Sequence, residues 1–362
     1  MRAGLRTGLR DVGRATNRVA RRWSSALVTL VLRTGPSQPV PAPEAVQRVL
    51  LVRANYRLGN IVLATSLLPV LAARFPRARI DWLVGENAAV LLDGLPHGPV
   101  YRISRSFARA PWRFVALFRE LRRQRYDVAI DGGMTSFSGA FFAWLSGARH
   151  RLGGEGRSAA WLTTRLVLRP TENVYAATGA VADALGVPQE SRPLYRVTAE
   201  ETAAAGTLLA RLGEGQAEVP GQPVGVFVGG HRDKRWPRQH WLDLQDGLAR
   251  AGVRTLVFVG PEEAEATADF TARAGPSCTV VPPQRLRLFA ALLARTRLLV
   301  TPDSGPLHLA SALGVPAIVV LQKEGSRAFV PPDGRATGLR PGPEEVLALV
   351  LASARTPGNP AA

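Results

Sequence analysis

Along the chain, compact apolar runs alternate with longer stretches in which apolar residues recur at three- and four-residue spacing. Residues 49–53, 80–84 and 127–130 are runs of the first kind and read as strands buried on both faces. Stretches 61–74, 112–125 and 137–145 show the second pattern and read as helices. This alternation predicts a parallel sheet with helices on both faces. The rhythm fades over 153–195, where Gly, Pro and Arg are scattered, and a domain connection is expected near 188–193. It then resumes, with strands at 224–228, 254–259, 279–281, 298–300 and 315–321. Helices are expected between and after them, at 199–212, 241–251, 262–274, 286–294 and 344–354. The pattern predicts an α/β protein with one domain over 45–190 and a second over 191–362. A basic arm and proline-rich linker, 1–44, precede them.

Four turns lie where a strand hands over to a helix, the place where open α/β sheets bind ligands. The first is Arg53-Ala54-Asn55-Tyr56-Arg57-Leu58-Gly59-Asn60, in which Gly59 permits close backbone approach. The second, Gly229-Gly230-His231-Arg232-Asp233-Lys234-Arg235-Trp236-Pro237, sets two glycines beside cations, as a phosphate requires. The third is Gly260-Pro261-Glu262-Glu263. An acid there either accepts hydrogen bonds from ribose hydroxyls or complements a helix dipole. The fourth, Thr301-Pro302-Asp303-Ser304-Gly305-Pro306-Leu307-His308, reads as a helix start. Asp303 or Ser304 suits the cap, Pro306 the first turn and Gly314 the far end. Free N–H groups at that start, with Gly305 allowing approach, make an anion site of phosphate size. His308 alone reads as a buried, hydrogen-bonded histidine.

Charge changes this picture. The formal net charge is +18, and of 46 basic residues only Lys234 and Lys323 are lysines. So basic a chain implies an anionic partner: lipid head groups, phosphorylated glycans, nucleotides or nucleic acid. Lys234, a compact point charge in an arginine-rich chain, is suited to a phosphate. In the arm, Arg2, Arg6, Arg10, Arg14, Arg18 and Arg22 recur every fourth residue beside Leu5, Leu9, Val12, Val19, Trp23 and Leu27. As a helix, residues 1–33 would lie on an anionic membrane surface; the alternative is a disordered basic tail. The apolar run 26–32 is too short to span a bilayer. Stacking aromatics and a recognition helix are missing from the pattern, which argues against nucleic acid as partner. A single cysteine, Cys278, excludes a disulfide framework and a cysteine zinc site, and five scattered histidines give no metal signature.

Leu58-Gly59-Asn60 with its leucine-rich helix, Lys234-Arg235-Trp236-Pro237, Gly260-Pro261-Glu262-Glu263 and Asp303-Ser304-Gly305-Pro306-Leu307-His308 together resemble, in that order, the heptosyltransferases of glycosyltransferase family 9. The resemblance spans about residues 48–350. It implies a GT-B fold, two Rossmann-like domains facing across a cleft. It also implies inverting, metal-independent transfer of a sugar, usually heptose, from an ADP-sugar to an anionic, lipid-linked glycan of the lipopolysaccharide core. No cofactor beyond the donor is implied, and such an enzyme would be cytoplasmic and peripheral on the inner membrane. By the same resemblance Lys234 neutralises donor phosphate, Glu262 holds the ribose, and Gly59, Gly229, Gly230, Ser304 and Gly305 belong to the donor side. Asp303 organises its turn or touches the donor, and His308 lines the pocket or packs beneath it. Arg102, Arg105, Arg109, Arg113, Arg119, Arg122, Arg123 and Arg125 could face an anionic acceptor. The chain departs from the family at Asn60, where an aspartate is the usual general base. An amide can orient a hydroxyl but cannot take its proton. Asp131, ending a strand of the same domain, is the expected substitute. The alternative function is a non-catalytic relative that binds a nucleotide sugar or glycan.

Overall fold

The structure, a computed structural model, describes residues 36–104, 110–156, 158–187, 192–213, 221–230 and 232–354. The expected arm over 1–33, along with Arg105, Arg109 and His231, lies outside the described residues.

The first sheet contains β1 (Arg48–Arg53), β2 (Arg79–Gly85), β3 (Val100–Ile103), β4 (Val128–Asp131), β5 (His150–Gly154) and β6 (Thr164–Leu166). Its order is β3-β2-β1-β4-β5-β6, with every pairing parallel. The second contains β7 (Val224–Val228), β8 (Thr255–Val259), β9 (Cys278–Val281), β10 (Leu298–Pro302), β11 (Ala317–Leu321) and β12 (Arg335–Leu339). Its order, β12-β11-β10-β7-β8-β9, is again all parallel. Read from the opposite edge it repeats the first, so the chain folds twice into the Rossmann topology. Each sheet reverses its strand order at one point: between β1 and β4, and between β7 and β10.

The central strands form because their residues have no polar face to offer. Val49, Leu50, Leu51 and Val52 are all fully buried, with Leu50 and Leu51 entering cores on opposite sides of the sheet. The helices between strands are α1 (Leu58–Thr65), α2 (Leu67–Arg74), α3 (Pro111–Arg123), α4 (Phe137–Leu145) and α5 (Ala176–Ala184). The second domain adds α6 (Ala199–Arg211), α7 (Arg238–Arg250), α8 (Thr267–Ala272), α9 (Leu286–Leu293), α10 (Gly305–Ala312) and α11 (Pro343–Ala354).

Several expectations are corrected. The helix predicted over 61–74 is two helices meeting at Ser66. Pro69 lacks the N–H that would bond to Thr65 and crowds that carbonyl, which divides the helix. The helix predicted over 262–274 divides likewise into a 3₁₀ stretch, Pro261–Ala266, and α8, with Glu263 outside helical geometry at φ −111°. The unpatterned region 153–195 contains β6 and α5, and part of β5.

Several contacts join the domains. Helix α1 of the first packs against α10 of the second. On another side, the Arg287 guanidinium pairs with Glu201 at 2.5 Å and donates to the carbonyl of Asp93 at 3.1 Å. Where the chain passes between domains, the Thr65 hydroxyl donates to Leu194 O at 3.0 Å and accepts from Leu194 N at 2.7 Å.

Candidate active site

The sheet order decides where a ligand can sit. In doubly wound sheets, the crevice lies beyond the carboxyl ends of the strands flanking the reversal. The turn from Arg53 to Asn60 leaves β1, the Asp131–Ser136 turn leaves β4, the Gly229–Trp236 turn leaves β7, and Asp303–Gly305 leaves β10. The α1–α10 contact brings the two crevices together, so these turns face one another across the domain boundary.

On the second domain, the Lys234 ammonium lies 2.5 Å from Asp303 Oδ2, and the Ser326 hydroxyl donates to the same oxygen at 2.8 Å. Asp303 is buried, so its charge is held by these partners, while the Lys234 side chain stays 33 % exposed. Its ammonium also stands 5.3 Å from the centre of the Phe329 ring. Neither Asp303 nor Ser304 caps α10, contrary to expectation. The carboxylate of Asp303 is turned to Lys234, and the hydroxyl of Ser304 shares a 3.1 Å hydrogen bond with that of Thr301. The start of α10 therefore has no side-chain cap, and Gly305 opens on empty space. A cation beside an uncapped helix start is an anion site with two attractive elements. Gly314, at φ +72°, ends α10 as expected.

Arg235 ties the neighbouring turns. It donates to Gly230 O at 2.8 Å and pairs with Glu262 at 2.7 Å and Glu263 at 3.3 Å. Glu262 stands exposed at the rim, while Glu263 turns inward, where burial pushes its carboxyl up. A β-carbon on Gly229 would meet the Phe227 ring at 2.7 Å, so that glycine serves the packing of its own turn. Gly230 is partly exposed and remains approachable. Trp236 is buried and donates to Pro341 O at 3.0 Å.

On the first domain, one assignment is corrected. Asp131 is fully buried, and its carboxylate accepts from Gly133 N at 2.9 Å, Ser136 N at 2.8 Å and Ser136 Oγ at 2.9 Å. It holds the β4 turn closed and does not present an oxygen to a substrate, so it is not the base expected from sequence. Gly59 and His308, both expected on the donor side, meet at the domain boundary. They touch each other: a β-carbon on Gly59 would lie 2.5 Å from His308 Cδ2. The glycine is what lets α1 and α10 approach. His308 is buried, its Nδ1 lies 2.7 Å from the Tyr175 hydroxyl, and burial holds its imidazole down to about 4.

Between the domains lies a cleft of about 660 Å³ whose walls include Arg53, Asn60, Thr135, Glu172, Asn173 and Phe329. Arg53 donates to Asn60 O at 3.3 Å, fixing the backbone of that residue at the cleft wall. Arg102, Arg113, Arg119, Arg122, Arg123 and Arg125 do not line it; Arg122, for one, is turned to Leu145 O at 3.0 Å. Ser326, Phe329, Asn173 and Tyr175 are site residues that sequence reasoning missed. No local motif marks them, because distant chain segments bring them to the site. Among the described residues, no group of three or more His, Cys, Asp or Glu side chains could hold a metal ion. No helix among them is long and apolar enough to cross a membrane.

Two Rossmann domains facing across a shared cleft make a GT-B fold. The sequence profile of glycosyltransferase family 9 (heptosyltransferase) matches residues 114–339, and the chain belongs to that family. It is 27 % identical over 293 residues to lipopolysaccharide heptosyltransferase 1 of Escherichia coli, covering 75 % of this chain and 87 % of that one. To lipooligosaccharide heptosyltransferase 2 of Haemophilus ducreyi it is 25 % identical over 308 residues, covering 79 % and 86 %. Among solved structures, a family 9 glycosyl transferase from Veillonella parvula superposes with a TM-score of 0.69 at 20 % identity, covering 86 % of this chain and 90 % of that one. Heptosyltransferase WaaC of E. coli with ADP-2-deoxy-2-fluoro heptose gives 0.66 at 20 % identity, covering 86 % and 100 %. The protein is a glycosyltransferase of the heptosyltransferase family.

Proposed function

We propose that this enzyme moves heptose from ADP-heptose to an anionic, lipid-linked glycan of the lipopolysaccharide-core type, with inversion and without a metal. The observation that carries the reading is the ammonium of Lys234 beside the uncapped start of α10, at the reversal point of the second sheet. The diphosphate sits there, on Lys234 and the N–H groups around Ser304 and Gly305. Cation and helix dipole stabilise the charge that develops on the departing ADP, the part a metal ion plays in other transferases. Glu262, at the rim, accepts from the ribose hydroxyls. The likeness to lipopolysaccharide heptosyltransferase 1 and the sugar nucleotide bound in the WaaC structure support this donor and acceptor class.

The acceptor enters the 660 Å³ cleft, whose wall Asn60 shares with the second domain's Phe329. Phe329 touches both halves of the reaction: it lines this cleft and lies under the Lys234 ammonium. The enzyme works on the cytoplasmic side of the inner membrane, held to anionic lipid by the basic arm over 1–33. Calorimetric titration with ADP and ADP-heptose tests the donor site. Micromolar binding is expected, and absence of binding to folded protein would overturn the reading. A second reading, a binding protein without transferase activity, is favoured by one observation: Asn60 has no proton-accepting group. Multiple turnovers onto a lipid-linked acceptor would eliminate it.

A further inference from the structure

With Asn60 unable to accept a proton and Asp131 sealed into its own turn, the acceptor hydroxyl needs another base. Among the described residues that line the interdomain cleft, Arg53 and Glu172 carry the charged side chains, and the carboxylate of Glu172 is the group there whose oxygens can take a proton. Two further acids, Asp303 and Asp333, lie near Tyr175 but outside the cleft lining, and Asp303 has its Oδ2 engaged by Lys234 and Ser326.

The chain position of Glu172 is set by the residues after it. The three residues that follow it are tied to the second domain. The Asn173 side chain donates to Val330 O at 2.8 Å, Val174 N donates to Ala328 O at 2.9 Å, and the Tyr175 hydroxyl meets His308 Nδ1 at 2.7 Å. Asn173 Oδ1 in turn accepts from Tyr175 N at 2.9 Å, which stiffens the strap. Glu172 thus belongs to the first domain's chain but takes its position from the second, where the donor site lies. It is exposed to the cleft and hence to an entering acceptor.

We infer that Glu172 is the general base of the transfer, and that Asn60 orients the hydroxyl it deprotonates. The inference rests on the transferase reading above. In the step, the acceptor oxygen bonds to the anomeric carbon as the bond from that carbon to the diphosphate oxygen breaks. The bonding pair leaves with ADP, and the hydroxyl proton passes to the Glu172 carboxylate, from which water later removes it.

The test is steady-state transfer from ADP-heptose to heptose-free lipopolysaccharide by wild type, Glu172→Gln and the double variant Asn60→Asp/Glu172→Gln. Glu172→Gln should lower kcat by about 10²- to 10⁴-fold, the usual worth of a general base. Its KM for ADP-heptose and its ADP affinity should stay within threefold of wild type, and the acidic limb of the kcat–pH profile should vanish. Adding Asn60→Asp, which puts a carboxylate beside the same hydroxyl, should return at least tenfold of the lost kcat; the unchanged KM and ADP affinity of Glu172→Gln and its lost pH limb are what a merely structural Glu172 would not give. A Glu172→Gln enzyme with wild-type kcat and pH profile would overturn the inference and leave the transferase reading intact. A folded wild type that binds ADP but never turns over would overturn both.

Discussion

Replacing Lys234 with methionine keeps the length and bulk of the side chain and removes its charge. In the native protein the ammonium lies 2.5 Å from Asp303 Oδ2, and the Asp303 side chain is only 5 % exposed. Without Lys234, the donor diphosphate would face the Asp303 carboxylate, leaving Ser326 as its remaining hydroxyl donor. Truncating one member of a buried, hydrogen-bonded charge pair typically costs about 2–5 kcal/mol in binding. Because Lys234 is a third exposed, the lower part of that range applies. About 2–3 kcal/mol corresponds to a roughly 30- to 150-fold weaker Kd for ADP. Neutralising the stranded acid as well, in Lys234→Met/Asp303→Asn, should recover about tenfold, because the two sites are coupled. Isothermal titration with ADP reads both effects, with thermal melts confirming that each variant folds cooperatively. A folded Lys234→Met protein that binds ADP within threefold of wild type would refute the placement of the diphosphate.

The remaining predictions concern the domain interface and the membrane. Gly59→Ala places a β-carbon 2.5 Å from the His308 ring and should destabilise the protein by about 1–3 kcal/mol, read as a lower melting temperature; an unchanged melt would show that α1 and α10 do not pack this closely. His308 is held down to about 4, against 6.5 when unfolded, so below pH 6.5 the unfolded chain takes up a proton that the native state refuses. Stability is therefore complete above pH 6.5 and falls by up to about 3 kcal/mol as pH drops towards 4. Denaturant melts of wild type and His308→Asn across that window should show the slope shrinking in the variant. Deleting residues 1–35 should abolish sedimentation with vesicles containing anionic lipid at physiological salt while leaving ADP affinity unchanged; equal sedimentation would move the membrane contact elsewhere.

Central strands such as β1 and β7 were legible in the sequence because burial on both faces demands an unbroken apolar run. Three of the unforeseen strands, β3, β6 and β12, are sheet edges. They are short, and their sequences (Val-Tyr-Arg-Ile, Thr-Arg-Leu and Arg-Ala-Thr-Gly-Leu) become strands because a formed sheet offers them a partner. The donor half of the site was legible for a different reason. Phosphate binding calls for glycine, a cation and a helix start close together in the chain, and 229–236 and 303–305 meet that demand locally. His308 sat in the same motif and is the buried, hydrogen-bonded histidine its sequence suggested, but its partners, Tyr175 and the close approach of Gly59, come from the other domain and carry no local mark. Phe329, Ser326 and Tyr175 carry no local signature, since each acts through a partner far away in the chain. Asp131 was misjudged because its sequence context, a strand end followed by two glycines, suits a loop-closing carboxylate as well as an exposed one.

The most direct test of the account is a turnover measurement with mass spectrometry. Wild-type protein is incubated with ADP-heptose and heptose-free lipopolysaccharide in excess over enzyme, with a chelator present. The account predicts many acceptor molecules per enzyme gaining one heptose each, in the anomeric configuration opposite to the donor's, with equimolar release of ADP. A folded protein that binds ADP yet leaves the acceptor unchanged, with or without chelator, would contradict it.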